Sequence, residues 1–358
     1  MLKRLLNLVL LTILVTLAGS QLAPNRACAQ ESLGTLGVSG IFLEPTFIFS
    51  EPNRSSFDAG RSFLAISWTR EPVLSATLKV GSRSLIGNPA RYGPAPVDQL
   101  GLVEGYAQAD SVVGRIRAGL VPISFSLEGG DTEERLRFPR SLLFANRIIN
   151  LRDYGVSYHI GYEGLFSDWS VHNGEGGTDL DNKMWFTFRA GYQLGRRYKF
   201  GISGSTGATS PDSTNNQATN WDSAKAGLNI AESSRIRLAN FFAEAQFERV
   251  NILTEITSGD TRQESGDGKL GGGHFDIEWD TSDTHSLLAR YDRFDPSVSG
   301  GDKVNEYMVG WSWKSLYQNS VLYVFASKQV FEGASQDAHR ALILWRITPQ
   351  ANSFRSPL

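Results

Sequence analysis

The side chains best suited to act on a solute are cations gathered in one part of the chain. Between Arg115 and Asp153 lie Arg115, Arg117, Arg135, Arg137, Arg140, Arg147 and Arg152, interleaved with Glu128, Asp131, Glu133 and Glu134. A guanidinium carries a fork of parallel N–H donors that fits the paired oxygens of a phosphate or carboxylate. A ladder of such groups could contact passing anions. The interleaved acids could equally neutralise it and brace the segment. Lys79, Arg189 and Lys199 join the candidates because each sits on an alternating segment among side chains of the polar face. Arg152 and Asp153, adjacent at the end of the charged stretch, are expected to pin it in place.

Other chemistry finds less support. There is no G-x-S-x-G, and Asp168, His159 and Ser170 lack a nucleophile's setting. His159, His172 and Asp168 have no further ligand at metal-binding spacing. The expectation is therefore a chain with no cofactor and no metal, and not an enzyme.

The positioning elements are read from period-two alternation. In the segment 112–121, Val112, Gly114, Ile116, Ala118 and Leu120 face one way, and Arg115 and Arg117 face the other. Two guanidiniums facing hydrocarbon would cost a few kcal/mol each near the bilayer midplane, so they are expected to face a wet interior. The same alternation gives about sixteen strands. These are 41–49, 64–69, 74–80, 100–110, 112–121, 154–162, 165–172, 183–193, 198–205, 235–247, 250–258, 273–281, 284–294, 303–314, 319–331 and 338–347. Tight connections at 70–72, 110–111 and 282–283 follow even strands. Long ones at 82–99, 121–151, 207–234 and 259–269 follow odd strands. Transmembrane barrels sort their loops in this way, and a soluble sandwich has no reason to.

The start of the chain reads as a targeting segment. Lys3 and Arg4 precede an apolar run, Leu5 to Leu17, and Ala27-Cys28-Ala29 supplies a cleavage site. Residues 1–29 are thus expected to be a signal peptide. Arg26 argues against a lipoprotein reading through Cys28, the single cysteine. Without Lys3, Arg4 and Arg26, the 35 basic residues become 32 against 37 acidic, a net of −5, which argues against nucleic acid. No later stretch approaches the roughly 18 apolar residues of a spanning helix. Yet 36 Gly, 8 Trp, 11 Tyr and 20 Phe sit largely in alternating segments, as in a barrel crossing a membrane by strands. Outward Trp68, Trp169, Tyr192 and Trp311 read as interfacial aromatics. The fold expected is all-β: a transmembrane antiparallel β-barrel over 30–358. Its third outer loop, about 121–151, is folded inward as a constriction, and 348–358 is a tail.

One stretch carries a resemblance. Gly119-Leu120-Val121-Pro122, Phe125-Ser126-Leu127-Glu128, Arg140-Ser141-Leu142, Asn146, Arg152-Asp153-Tyr154-Gly155-Val156 and Asn173-Gly174 follow one another in order. In order and spacing they resemble the phosphate-selective porin O/P-like family. The resemblance implies an outer-membrane trimer in the bacterial envelope, passing small hydrophilic solutes, with a preference for anions or phosphate as its finer implication. It also implies that the third loop narrows the pore. Pore-lining residues would then be Lys79, Arg115, Arg117, Arg135, Arg137, Arg140, Arg147, Arg189 and Lys199. A structural or adhesive barrel with a plugged lumen is the rival. The inward face also carries Glu104, Asp168, Glu255, Asp276, Glu278 and Glu306.

Overall fold

The computed structural model describes residues 34–357 except 52–54, 59, 71–72, 83–99, 131–132, 146–150, 175–181, 196, 211–231, 297–302, 316–318, 334–335 and 349–354. The leader, its cleavage site and Arg147 fall outside the described residues.

The strands are β1 (Thr35–Phe42), β2 (Thr46–Glu51), β3 (Ser56–Asp58), β4 (Phe63–Arg70), β5 (Leu74–Ser82), β6 (Leu100–Ser111), β7 (Gly114–Pro122), β8 (Arg152–Tyr162), β9 (Leu165–His172), β10 (Trp185–Leu194), β11 (Tyr198–Thr209), β12 (Ser234–Gln246), β13 (Val250–Gln263), β14 (Gly266–Asp280), β15 (His285–Asp295), β16 (Lys303–Lys314), β17 (Ser320–Glu332), β18 (Ala338–Ile347) and β19 (Arg355–Pro357). From β4 to β18 each strand pairs antiparallel with the next, in sequence order. The two ends of that series meet on one kinked strand. β1 pairs with β4, while β2 pairs with β18 and Leu43 bridges Ile347. Pro45, which has no N–H to give a ladder, sits at the kink. Counted as one, β1 and β2 join the fifteen strands from β4 to β18 to make sixteen, with the three-residue β3 and β19 set aside.

Alternation sorts the two faces. On β13, Ile256 is 63% exposed and its neighbour Thr257 3%. Phe241, Phe275, Trp279, Val309 and Trp345 share the outward face. The inward face is buried and largely polar, with apolar patches such as Ile236, Leu238 and Phe294 where the third loop lies against it. This pattern is reversed from that of a water-soluble sandwich.

Three details differ from the sequence reading. The turn expected at Asp110-Ser111 lies at Val112 and Val113, because Gly114 has φ 152° and a Cβ there would meet the His159 carbonyl. The expected loop 259–269 is a hairpin instead: β13 and β14 stay paired from Val250↔Trp279 to Gln263↔Gly266. Its glycines read as loop in isolation, but the ladder supplied by the paired strand holds them extended. Finally, part of the expected tail pairs with β1 as β19.

Candidate functional site

The loop between β7 and β8 crosses the interior, held at each step by groups from the wall. Entry and exit are tied by the Ile123 N–H donating to Leu151 O at 2.9 Å. A five-residue helix, Ser126–Gly130, follows. Its first amides are capped from the wall: Ser126 N–H by Ser203 Oγ at 2.9 Å, and Leu127 and Glu128 N–H by Glu255 Oε1 at 2.9 and 2.8 Å. These are the donors a helix start leaves without partners. A Cβ on Gly130 would overlap the Arg189 guanidinium, so glycine is what lets the helix approach the wall.

Glu133 is the hub of the loop's midsection. It is 1% exposed and accepts from Arg140 at 2.5 Å and Arg152 at 3.0 Å, with Arg61 at 3.8 Å. Burial alone would raise its carboxyl; Arg140, Arg152 and Arg61 outweigh that and hold it far below the usual carboxylate range. Burial likewise opposes ionisation of Glu128, but Arg290, His274, Arg140 and the Ser141 amide lower it. Glu128 accepts from Ser141 N–H and Oγ, both at 2.9 Å, and from Arg290 at 3.1 Å. Pro139 O receives Arg290 Nη1 at 2.5 Å, and the Leu142 N–H donates to Asp292 at 2.7 Å. Leu142, Leu143 and Phe144 then bury against Ile236, Leu238, Leu270 and Phe294 of the wall. Phe138 packs with Met308, Tyr323, Phe325 and Leu342.

Beside the loop lies a cavity of about 530 Å³, on the side of the short turns. Its lining includes Arg135, Arg137, Arg197, Lys199, Arg290, Lys314 and Arg346 against Glu128, Glu244, Asp276 and Glu278, seven basic groups to four acidic. A second, of about 670 Å³, shares Arg135, Gln193 and Lys199 with it and adds Arg189 and His159.

The structure places the residues singled out in the sequence as follows. Lys79 donates to Glu104 at 2.8 Å and lies over the Phe63 ring. Arg115 pairs with Asp110 at 2.7 Å and is half exposed. Arg117 donates to Gln108 at 2.9 Å over the Tyr106 ring. Arg135 is exposed to the cavity, and Arg137 reaches Glu278 at 3.0 Å at its edge. Burial lowers Arg137, but Glu278 outweighs it and the guanidinium is raised. Arg140 is buried at 3% exposure, against Glu133 and the Glu128 carbonyl. Arg189 makes two hydrogen bonds to Asp168, at 2.8 and 2.7 Å. Lys199 lines both cavities. Arg152 bridges Glu133 and Glu104, and Asp153 accepts from His172 at 2.7 Å and from the Gly174 N–H. The two inward histidines go to different partners, His159 to Asp168 and His172 to Asp153. No metal-holding cluster of His, Cys, Asp and Glu occurs among the described residues.

Arg61, Arg290 and Arg346 were not among the sequence candidates. Arg290 had a signal: alternation along β15 puts Leu288, Arg290 and Asp292 on the inward face, opposite Leu287 and Tyr291. Arg61, outside any strand, had none.

Fold and interior together define the class: an outer-membrane-type β-barrel of porin architecture with an infolded loop. No family model matches the sequence, and no curated relative does. Solved structures supply the likeness. The chain is similar to OmpT of Vibrio cholerae lacking loop L8, an outer membrane protein: TM-score 0.65, 13% identity, 88% of this chain and 99% of that one. It is similar to the trimer form of OmpT (TM-score 0.64, 12%, 88% and 99%) and to the anion-selective porin from Comamonas acidovorans (TM-score 0.64, 11%, 87% and 99%). One expectation is corrected by these matches. The residues of the sequence point to a non-enzyme, but the similar structures are mixed, OmpT beside a porin, and a shared barrel does not decide activity.

Proposed function

We propose that the protein is an outer-membrane porin that lets small hydrophilic solutes diffuse past the infolded loop, with a preference for anions. The observation that carries this is the lining of the 530 Å³ cavity, where basic groups outnumber acidic ones seven to four at the loop's edge. Charge at a narrow point sets selectivity. Arg135, Arg137, Arg189 and Lys199 are assigned the anion contacts; Lys79, Arg140, Arg152 and Asp153 brace the loop. Phosphate preference, suggested by the sequence resemblance, belongs to this reading, as do a homotrimer and removal of residues 1–29.

The test is planar-bilayer conductance of folded protein, with reversal potentials in KCl gradients and then in phosphate. Conductance in steps of three with anion-selective reversal supports the proposal; a folded barrel that passes no current rejects it. A second reading, a plugged structural barrel, is favoured by the burial of Phe138 and Leu142–Phe144 in two apolar clusters against the wall. The absence of current is its expected result.

A further inference from the structure

The tall side of the barrel carries a cation cluster on its outward face. Along β12, Arg235 and Arg237 alternate with buried Ile236 and Leu238 and share the exposed face of Phe241. Arg262 of β13 stands directly opposite Arg235 and shares its strand's face with Ile256. Lys269 of β14 faces the same way, in register with Asp260. Two like charges directly opposite on one face are destabilising. Asp260, opposite Arg237 and 3.9 Å from Arg262, and Asp267, opposite Arg262, offset part of the charge. Arg235 and Arg237 form no ion pair among the described residues.

The height of the cluster says what it meets. Phe247 and Trp279 mark the outward apolar band at the short-turn end. From Phe247 to Arg237, and from Trp279 to Lys269, is ten residues along the strand. At about 3.4 Å per residue and a tilt of about 40°, that is about 25 Å along the membrane normal, the height of a barrel's apolar band. The cations therefore lie where hydrocarbon gives way to headgroups, on the side of the long loops. Midway they would be costly, but at the boundary they are nearly free of penalty.

We propose that Arg235, Arg237 and Arg262, with Lys269, form a docking site for the phosphate groups of an anionic glycolipid of the outer leaflet. Complementary charge selects the phosphates, and the apolar band below, Phe241, Ile256 and Phe275, receives the acyl chains. The site rests on the chain being a membrane barrel with its long loops outward. It does not depend on the pore being open.

The experiment titrates detergent-folded protein with bisphosphorylated lipid A and reads bound lipid by native mass spectrometry. At roughly fivefold per interfacial cation, the triple change Arg235→Gln, Arg237→Gln and Arg262→Gln weakens retention by about a hundredfold. The pair Arg293→Gln and Lys303→Gln, whose charges already meet Asp295, leaves it unchanged. Equal retention by wild type and triple variant overturns the proposal. If the triple variant does not fold, wild-type protein is compared on bisphosphorylated and dephosphorylated lipid A, and equal binding overturns it. Displacement by millimolar inorganic phosphate alone also overturns it, since it would mark a free-anion site. Conductance of the triple variant stays at the wild-type level, and a wild-type barrel that passes no current would count against the porin reading and not against this one.

Discussion

Replacing Glu133 by Gln tests whether the loop is held by its buried charges. The carboxylate sits among three guanidiniums, Arg140, Arg152 and Arg61, at 1% exposure. Breaking a buried ion pair from one side costs about 3–5 kcal/mol, mostly because the remaining charge is stranded. Here each arginine keeps another partner: Arg61 has Glu44, Arg140 has the Glu128 carbonyl, and Arg152 has Glu104. The cost belongs at the lower end, about 3 kcal/mol, which raises the population of the released loop by over a hundredfold. Trypsin cannot follow the loop into the barrel, so cleavage after Arg135 or Arg137 reports release. When reclosing is faster than cutting, the cleavage rate tracks the open population. The expected outcome is cleavage about a hundredfold faster in Glu133→Gln, with heat-modifiable gel mobility showing an intact barrel. A rate within about threefold of wild type would refute the assignment of Glu133 as the anchor.

Three further outcomes follow from the same geometry. Glu133 and Glu128 have carboxyls lowered below the unfolded value of about 4.3, so their stabilisation is complete above that pH and is lost only as pH falls through the lower folded values; the ratio of trypsin cleavage rates between Glu133→Gln and wild type should therefore be constant from pH 8 to about pH 5, and a ratio that shrinks within that window would contradict it. Arg135→Gln with Lys199→Gln should move the reversal potential toward cations with the fold intact, whereas Arg140→Gln should lower thermal stability by about 3 kcal/mol or more through its buried partner Glu133. Gly130→Ala should displace Arg189 from Asp168 and cost about 1–3 kcal/mol, read as a lower unfolding temperature; an unshifted temperature would mean the loop gives way freely.

The strands were legible because alternation is a local signal. β10, with Phe186 and Phe188 outward and Thr187 and Arg189 inward, announces itself in ten residues. The infolded loop was legible as a break in that signal followed by an apolar run that needed cover. What each arginine does was not legible, because its partner lies far along the chain. Arg290 meets Glu128 across 162 residues, and Asp292 caps Leu142 across 150. Nothing near Arg140 in sequence says that Glu133 will close on it while Arg135, five residues earlier, turns to the cavity. The hairpin at Gln263–Gly266 was missed for a related reason: Gly-Asp-rich composition signals a turn wherever it occurs, and only the facing strand decides how far the ladder runs beyond it.

The kinked first strand carries a consequence for biogenesis. Residues 43–51 hydrogen-bond to 339–347, almost the full length of the chain away, while β1 next to them holds β4. Until the last stave is delivered, an emerging sheet presents two naked margins of unsatisfied amides and carbonyls, which invite mispairing with any neighbouring chain. Sealing the cylinder is thus the final act of assembly, and a ribosome product cut short before residue 339 would be a sheet with no way to shut.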